Sequence, residues 1–231
     1  MRRASTMRPA PSTVLTALLG LLLIAGCSTR WDHTPQDAHV VRTGETLYTI
    51  AWRYGKDPKD LARWNRLGDG SLIYPGQVIR LRPPGGTRTT AAAAPSARPL
   101  PEVRTEPPPS AWTWPTSGAI QVDFGGRPGS GTGVLIGGRL GQPVVAAAPG
   151  RVVYSGGGLA GYGQLIIVKH NDTYLSAYGH NASLLVREGE SVRRGQRIAT
   201  LGEGPGRQPR LHFEIRKNGK PVNPRQYLPA R

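Results

Sequence analysis

Arg210-Leu211-His212-Phe213-Glu214-Ile215-Arg216-Lys217-Asn218-Gly219-Lys220 alternates polar and apolar side chains and then runs into Asn-Gly. Alternation of this period belongs to a β-strand, and it sets Arg210, His212 and Glu214 on one strand face. Asn-Gly tolerates two positive φ angles in succession, so Lys217 to Lys220 reads as a tight hairpin turn. Upstream, Pro143–Ala147, Arg151–Tyr154, Gln164–His170 and Tyr174–His180 are further short apolar runs, separated by Gly, Asn and Pro. That spacing is the pattern of an all-β domain, and residues 114–231 are long enough to enclose one core of this kind.

A different period precedes it. Over residues 39–83, His39 to Arg42 reads as a short strand, and Leu47, Ile50, Ala51 and Tyr54 then recur at the spacing of an amphipathic helix. Asp57-Pro58 has the form of an N-cap followed by Pro at the first helical position, with Leu61 and Trp64 facing inward on a second helix. Tyr74-Pro75-Gly76 is a turn and Gln77 to Arg82 alternates as a closing strand, so the order is β-α-α-β. Between the two patterns, residues 84–113 are rich in Pro and Ala without apolar period. Extended at about 3.1 Å per residue, the stretch from Pro83 to about Ser110 reaches roughly 85 Å, so the flanking domains need not touch. The fold class is therefore multi-domain: a small α+β module, a Pro-rich linker and a mainly antiparallel β domain.

Thirty Lys and Arg against fourteen Asp and Glu give the chain a formal charge of +16. A polyanionic partner follows, and charge alone does not choose between nucleic acid, acidic lipid and anionic cell-wall polymer. The N-terminus does. Arg2, Arg3 and Arg8 precede an apolar run from Val14 to Ala25 that is too short to span a bilayer comfortably. Residues 1–26 thus read as a signal peptide, and export excludes nucleic acid as the partner. Ile24-Ala25-Gly26-Cys27 resembles the bacterial lipobox, which implies lipidation of Cys27 and a tether over residues 27–38. Ser28 in the following position resembles the signal for outer-membrane sorting, and several acyl chains anchor stably where one does not. Cys27 is the single cysteine, so no intramolecular disulfide can form.

Val41-Arg42-Thr43-Gly44-Glu45-Thr46-Leu47, Ile50-Ala51, Asn65 and Ile73-Tyr74-Pro75-Gly76-Gln77-Val78-Ile79 resemble a LysM repeat over nearly its whole length. The resemblance implies a shallow groove for N-acetylglucosamine-containing glycan. Gly44, Glu45, Thr46 and Leu47 would form one wall, and Leu72, Ile73, Tyr74 and Pro75 the other.

Gly133-Val134, Val144-Val145-Ala146-Ala147, Gly161-Tyr162-Gly163, Tyr178-Gly179-His180, Leu211-His212-Phe213-Glu214 and Val222-Asn223-Pro224 follow the order of the LytM/M23 zinc endopeptidases. Active members hold zinc with His, Asp and His and use two further histidines, since a catalytic zinc needs about three protein ligands and an open water position. On this chain the first ligand position falls on Gly131, the Asp position on Leu135 and the last on His212. One catalytic position keeps His180; the other is Arg210. Gly and Leu offer no donor and a guanidinium repels a cation. A substitute site from His180, His212 and Glu214 would have Arg210 beside it, and the remaining histidine, His170, falls at a structural position. The resemblance therefore implies a degenerate domain with no cofactor and a vacated groove lined by Gly131, Leu135, Tyr162, His180, Arg207, Arg210 and His212. Those histidines are expected on the groove floor, bonded to Tyr178 or backbone.

A lipoprotein signal, a LysM repeat and a degenerate LytM domain in this order resemble the lipoproteins that activate murein hydrolases in Gram-negative bacteria. The implied function is peptidoglycan binding together with activation of a periplasmic zinc N-acetylmuramoyl-L-alanine amidase, from an outer-membrane anchor at the division septum. The alternatives are a residual metalloendopeptidase and a passive cell-wall tether.

Overall fold

The computed structural model describes residues 37–68, 72–84, 106–126 and 131–231. The expected signal peptide, Cys27, most of the tether and most of the spacer lie outside the described residues. No helix among the described residues is long and apolar enough to cross a membrane.

In the N-terminal module β1 (Ala38–Val40) pairs antiparallel with β2 (Val78–Arg80), and α1 (Leu47–Tyr54) and α2 (Pro58–Asn65) pack between them in sequence. The helix starts follow from local chemistry. Thr46 caps α1 in a reciprocal pair with Thr49, and the Asp57 carboxylate accepts from the Lys59 amide at 2.8 Å with Pro58 next to it. Leu47, Ile50, Ala51, Leu61, Ile79 and Leu81 form the small core. Asn65 ties α2 to β2: its amide donates to the Arg80 carbonyl at 2.9 Å, and its oxygen accepts from the Arg80 N–H at 2.7 Å.

The C-terminal domain is antiparallel throughout. Its strands are β3 (Ile120–Val122), β4 (Val134–Gly137), β5 (Pro143–Val145), β6 (Gly150–Gly156), β7 (Gln164–Lys169), β8 (Tyr174–Leu184), β9 (Ser191–Val192), β10 (Arg197–Leu201), β11 (Arg210–Lys217) and β12 (Lys220–Val222). The main path runs β3-β4-β11-β8-β7-β6-β9, with β10 joining β8 to β5 and β12 beside β11. The hairpin at Asn218-Gly219 has φ of 49° and 73°, as the sequence requires.

Leu211, Phe213 and Ile215 of β11 enter the main core with Val134, Ile166 and Tyr178. The opposite sheet face carries a second apolar cluster of Tyr154, Leu165, Ile167, Leu175 and Ala177. The unbroken run Leu165-Ile166-Ile167-Val168 is the sequence form of a strand buried on both faces.

The second face is covered by the N-terminal module. Trp52 of α1 is 3 % exposed and belongs to that second cluster. Removing a Trp side chain of on the order of 200 Å² from water is worth about 5 kcal/mol before entropy is charged against it. Arg216 sits under the ring, Cζ 3.5 Å from its centroid, and donates from Nη1 to the Trp52 carbonyl at 2.8 Å. At Gly219 an added Cβ would fall 2.2 Å from the Lys56 carbonyl oxygen, so the hairpin turn lies directly against the module's backbone. Residues 36–231 form one compact unit: the spacer is long enough to let the two domains separate, and they are packed together nonetheless. The spacer's end is also fixed. The Glu106 amide donates to Thr173 Oγ1 at 2.8 Å, Asn171 donates to the Pro107 carbonyl at 2.8 Å, and Trp112 is buried in the main core.

Candidate functional sites: a surface groove and a buried polar row

The two loops named as glycan walls are laced together, because the Gly76 amide donates to the Val41 carbonyl and the Val41 amide to the Gln77 carbonyl, both at 2.8 Å. Pro75 and Gly76 occupy the middle of a turn closed by Gln77 N–H to the Tyr74 carbonyl at 3.0 Å, with Gly76 at φ 87°. The turn presents Tyr74 at 60 % and Leu72 at 62 % exposure, with Pro75 exposed and Ile73 half-buried. On the other wall Gly44 is exposed at φ 79° and Thr46 is half-buried as the helix cap.

Glu45 and Leu47 are placed differently. Leu47 is core. The Glu45 carboxylate accepts from His39 Nε2 at 2.6 Å, from the Arg42 amide at 2.9 Å and from Arg53. Burial opposes its ionisation, but these bonds outweigh burial and hold the carboxyl below the usual carboxylate range. Three bonds inside the module and a side chain 7 % exposed fix Glu45 in place, so it shapes the wall chiefly by holding His39, Arg42 and Arg53 together.

In the C-terminal domain β11 pairs with β4 and β8, and the register sets His212 opposite Leu135 on one side and Gly179 on the other. Arg210, His212, Glu214 and Arg216 form one polar row along β11, all at most 7 % exposed. Glu214 is its centre. Oε1 accepts from His212 Nε2 at 2.8 Å, from the Tyr162 hydroxyl at 2.7 Å and from Thr132, while Oε2 accepts from Arg216 Nε at 3.0 Å. Burial works against the Glu214 carboxylate, yet His212, the Arg216 charge and Thr132 together lower its pKa. The same burial, with the Glu214 charge, pushes the Tyr162 phenol up to about 12.

His180 lies 5.9 Å from His212 between ring centroids, in a left-handed conformation at φ 61°. Burial, then repulsion from His212 and Arg210, pushes its pKa down to about 4. His170 reaches about 4 by burial and bonds the Pro149 carbonyl and Ser176 Oγ, a structural role.

The expected groove residues are thus brought together only in part. Leu135, His180, Arg210 and His212 are buried, at 3, 9, 7 and 5 % exposure. Gly131 and Tyr162 are half-buried and Arg207 is exposed. Gly131, Tyr162 and Arg207 stand at the accessible edge of a packed row, in which the Arg210 stem fills the space beside Gly204 and His180. In place of the expected Tyr178 or backbone partner, His212 bonds the Glu214 side chain, and Tyr178 turns to the Ala147 amide at 2.8 Å and to Ser176. Among the described residues no three His, Cys, Asp or Glu side chains converge as a metal-binding group. Sequence reasoning missed Thr132, which bonds Glu214, and Trp52 and Arg216, the residues that tie this row to the other module.

The LysM domain model matches residues 39–82 and the peptidase family M23 model matches residues 129–224. The chain is 43 % identical to the lipoprotein NlpD/LppB homolog of Pseudomonas aeruginosa over 84 % of this chain and 77 % of that one. It is 35 % identical to the murein hydrolase activator NlpD of Escherichia coli over 84 % of this chain and 68 % of that one. A zinc-containing peptidase from Vibrio cholerae aligns with 50 % of this chain and 39 % of its own, at 27 % identity and a TM-score of 0.45. With a LysM module, an M23-type domain and relatives of this name matching along most of its length, the chain belongs to the NlpD family of murein hydrolase activator lipoproteins.

Proposed function

We propose that the protein binds peptidoglycan glycan through its LysM module and activates a periplasmic zinc amidase that splits septal cell wall, without cutting peptidoglycan itself. The observation that carries this reading is the packing around His212. At the M23 ligand positions the partner strand offers Leu135 and the neighbouring loop Gly131, neither with a donor atom. The His212 Nε2 is engaged by Glu214, and Arg210 occupies the catalytic position beside it. These residues do not fit a zinc ion, which needs about three donors and an open water site. Family relatives bearing the name of activators support the same reading.

Activation requires that the protein bind the open amidase more tightly than the closed one. Arg207, Tyr162 and Gly131 are the parts of the vacated site that remain accessible, and they are the proposed contact. Acylation at Cys27 would hold the protein at the inner face of the outer membrane, with both modules in the periplasm and, through the amidase, at the septum. The partners in this reading are peptidoglycan, the amidase and the membrane, with no nucleic acid and no cofactor.

Dye release from labelled peptidoglycan tests it, with the lipid-free protein and candidate amidases added singly and together. The expected outcome is no release by the protein alone and release by the amidase that rises when the protein is present. Chelator-sensitive release by the protein alone would make it an endopeptidase; an amidase rate unmoved by the protein would leave it a tether.

A further inference from the structure

A cavity of about 530 Å³ opens where the two modules meet. Leu47 and Tyr48 of α1 and Lys59 and Arg63 of α2 line one side; Lys169 and Asp172 of the C-terminal domain line the other. Its size is that of a small-molecule site, roughly 300 to 1,000 Å³. Leu47 opens α1 directly after the Gly44–Thr46 wall, and Gly68 lies in the connection between α2 and β2 that also carries Leu72 to Pro75, so the cleft borders both segments that bear the glycan walls.

The chemistry of the lining selects the ligand. Lys169 Nζ lies 2.6 Å from Asp172 Oδ1, Lys59 Nζ lies 3.7 Å from Asp172 Oδ2, and Arg63 pairs with Asp60 at 2.6 Å. Asp172 is shared by the two lysines and Asp60 pairs with Arg63, so three cations meet two carboxylates. The cleft keeps a small positive excess, and most of its charge is held in ion pairs. What it offers is fixed donors and acceptors around a half-apolar floor of Tyr48, Leu47, Pro58 and Ala62. A neutral ring with polar edges and an apolar face meets both requirements.

We propose that this cleft is an additional saccharide subsite, built jointly by both modules, which takes the sugar next to those held in the LysM groove. It rests on the glycan-binding reading of that groove. Lys169 and Asp172 then contribute to glycan affinity although both lie in the M23-type domain.

Calorimetric titration of the lipid-free full chain with short and long soluble oligomers of N-acetylglucosamine tests it. Wild-type protein is expected to bind the long oligomer more tightly, and Lys169→Ala/Asp172→Ala to lose that gain by roughly tenfold, the worth of a hydrogen bond to a charged group. The hydrodynamic radius of each variant verifies that the modules stay docked. Should the double variant undock, Lys169→Met keeps the stem over the floor and removes only the charge. If wild type binds neither oligomer, the glycan reading fails and the subsite with it. If wild type gains with length and the docked variants gain equally, the subsite alone is wrong.

Discussion

Arg216 grips Trp52 twice, its guanidinium plane against the indole and its Nη1 on the Trp52 carbonyl, while its Nε reaches Glu214 in the row behind. One side chain therefore joins the LysM helix to β11 of the M23-type domain. A buried guanidinium is tolerated only when its donors are satisfied, and here a carboxylate, a carbonyl and an aromatic face share that task. Trp52→Ala is expected to remove about 3 to 5 kcal/mol of stability and release the module. Sedimentation and limited proteolysis of the lipid-free protein read the change. A wild-type sedimentation coefficient with wild-type protease resistance would show that Trp52 does not hold the two together.

Gly219 separates two explanations that usually coincide. Its φ of 73° favours Gly for the hairpin, and its lost Cβ makes room for the Lys56 backbone. Asn adopts positive φ with little penalty, so Gly219→Asn preserves the turn but drives a Cβ into that backbone. Asn218→Gly, at the neighbouring position, is the turn-only control. The expected outcome is a larger hydrodynamic radius for Gly219→Asn with an unchanged far-ultraviolet spectrum, and neither effect for Asn218→Gly. Equal behaviour of the two variants would mean that the glycine serves the turn alone.

Local signals made most of the fold legible. Asp57-Pro58 fixes the start of α2, and the Leu47, Ile50, Ala51, Tyr54 stripe fixes the buried face of α1. Lys217-Asn218-Gly219-Lys220 fixes the last hairpin. Trp52 was not legible as a contact because it falls off that stripe, on the side of α1 that a free module would leave in water. Two clues point to it in retrospect: a large aromatic among polar neighbours, and a β7 run with no polar face. The site was legible as chemistry and not as shape. Motif positions locate Gly131, Leu135, Arg210 and His212, but burial depends on long-range packing of Arg210 against Gly204 and His180, which no local spacing encodes.

His170 and His180, both pushed down to about 4, predict a pH dependence with a definite sign. Between pH 6.5 and 4 the unfolded chain takes up protons on these histidines and the folded chain does not, so stability falls as pH falls through that window. It is fully present above pH 6.5. His180→Asn suits the left-handed backbone at this position and removes one of the two groups. Urea unfolding at pH 7 and pH 5 is expected to show a smaller loss for His180→Asn than for wild type. An identical loss would mean that His180 is solvated and titrates normally.

Burial also decides which substitutions can test amidase contact. Arg210 is 7 % exposed and Leu135 3 %, so Arg210→Glu or Leu135→Arg inserts an unpaired charge into a packed layer. Each is expected to cost about 3 kcal/mol or more, and a loss of amidase stimulation would then report unfolding. Arg207 differs: its side chain is 91 % exposed and only loosely paired with Glu203 at 3.5 Å. Exposed substitutions of this kind change stability by about 0.5 kcal/mol or less. Arg207→Glu is therefore expected to melt with wild-type protein while lowering amidase-dependent dye release several-fold, more strongly at low salt because the contact is electrostatic. Unaltered stimulation by a fully folded Arg207→Glu variant would move the amidase contact away from the surface around Arg207 and onto another face of the domain.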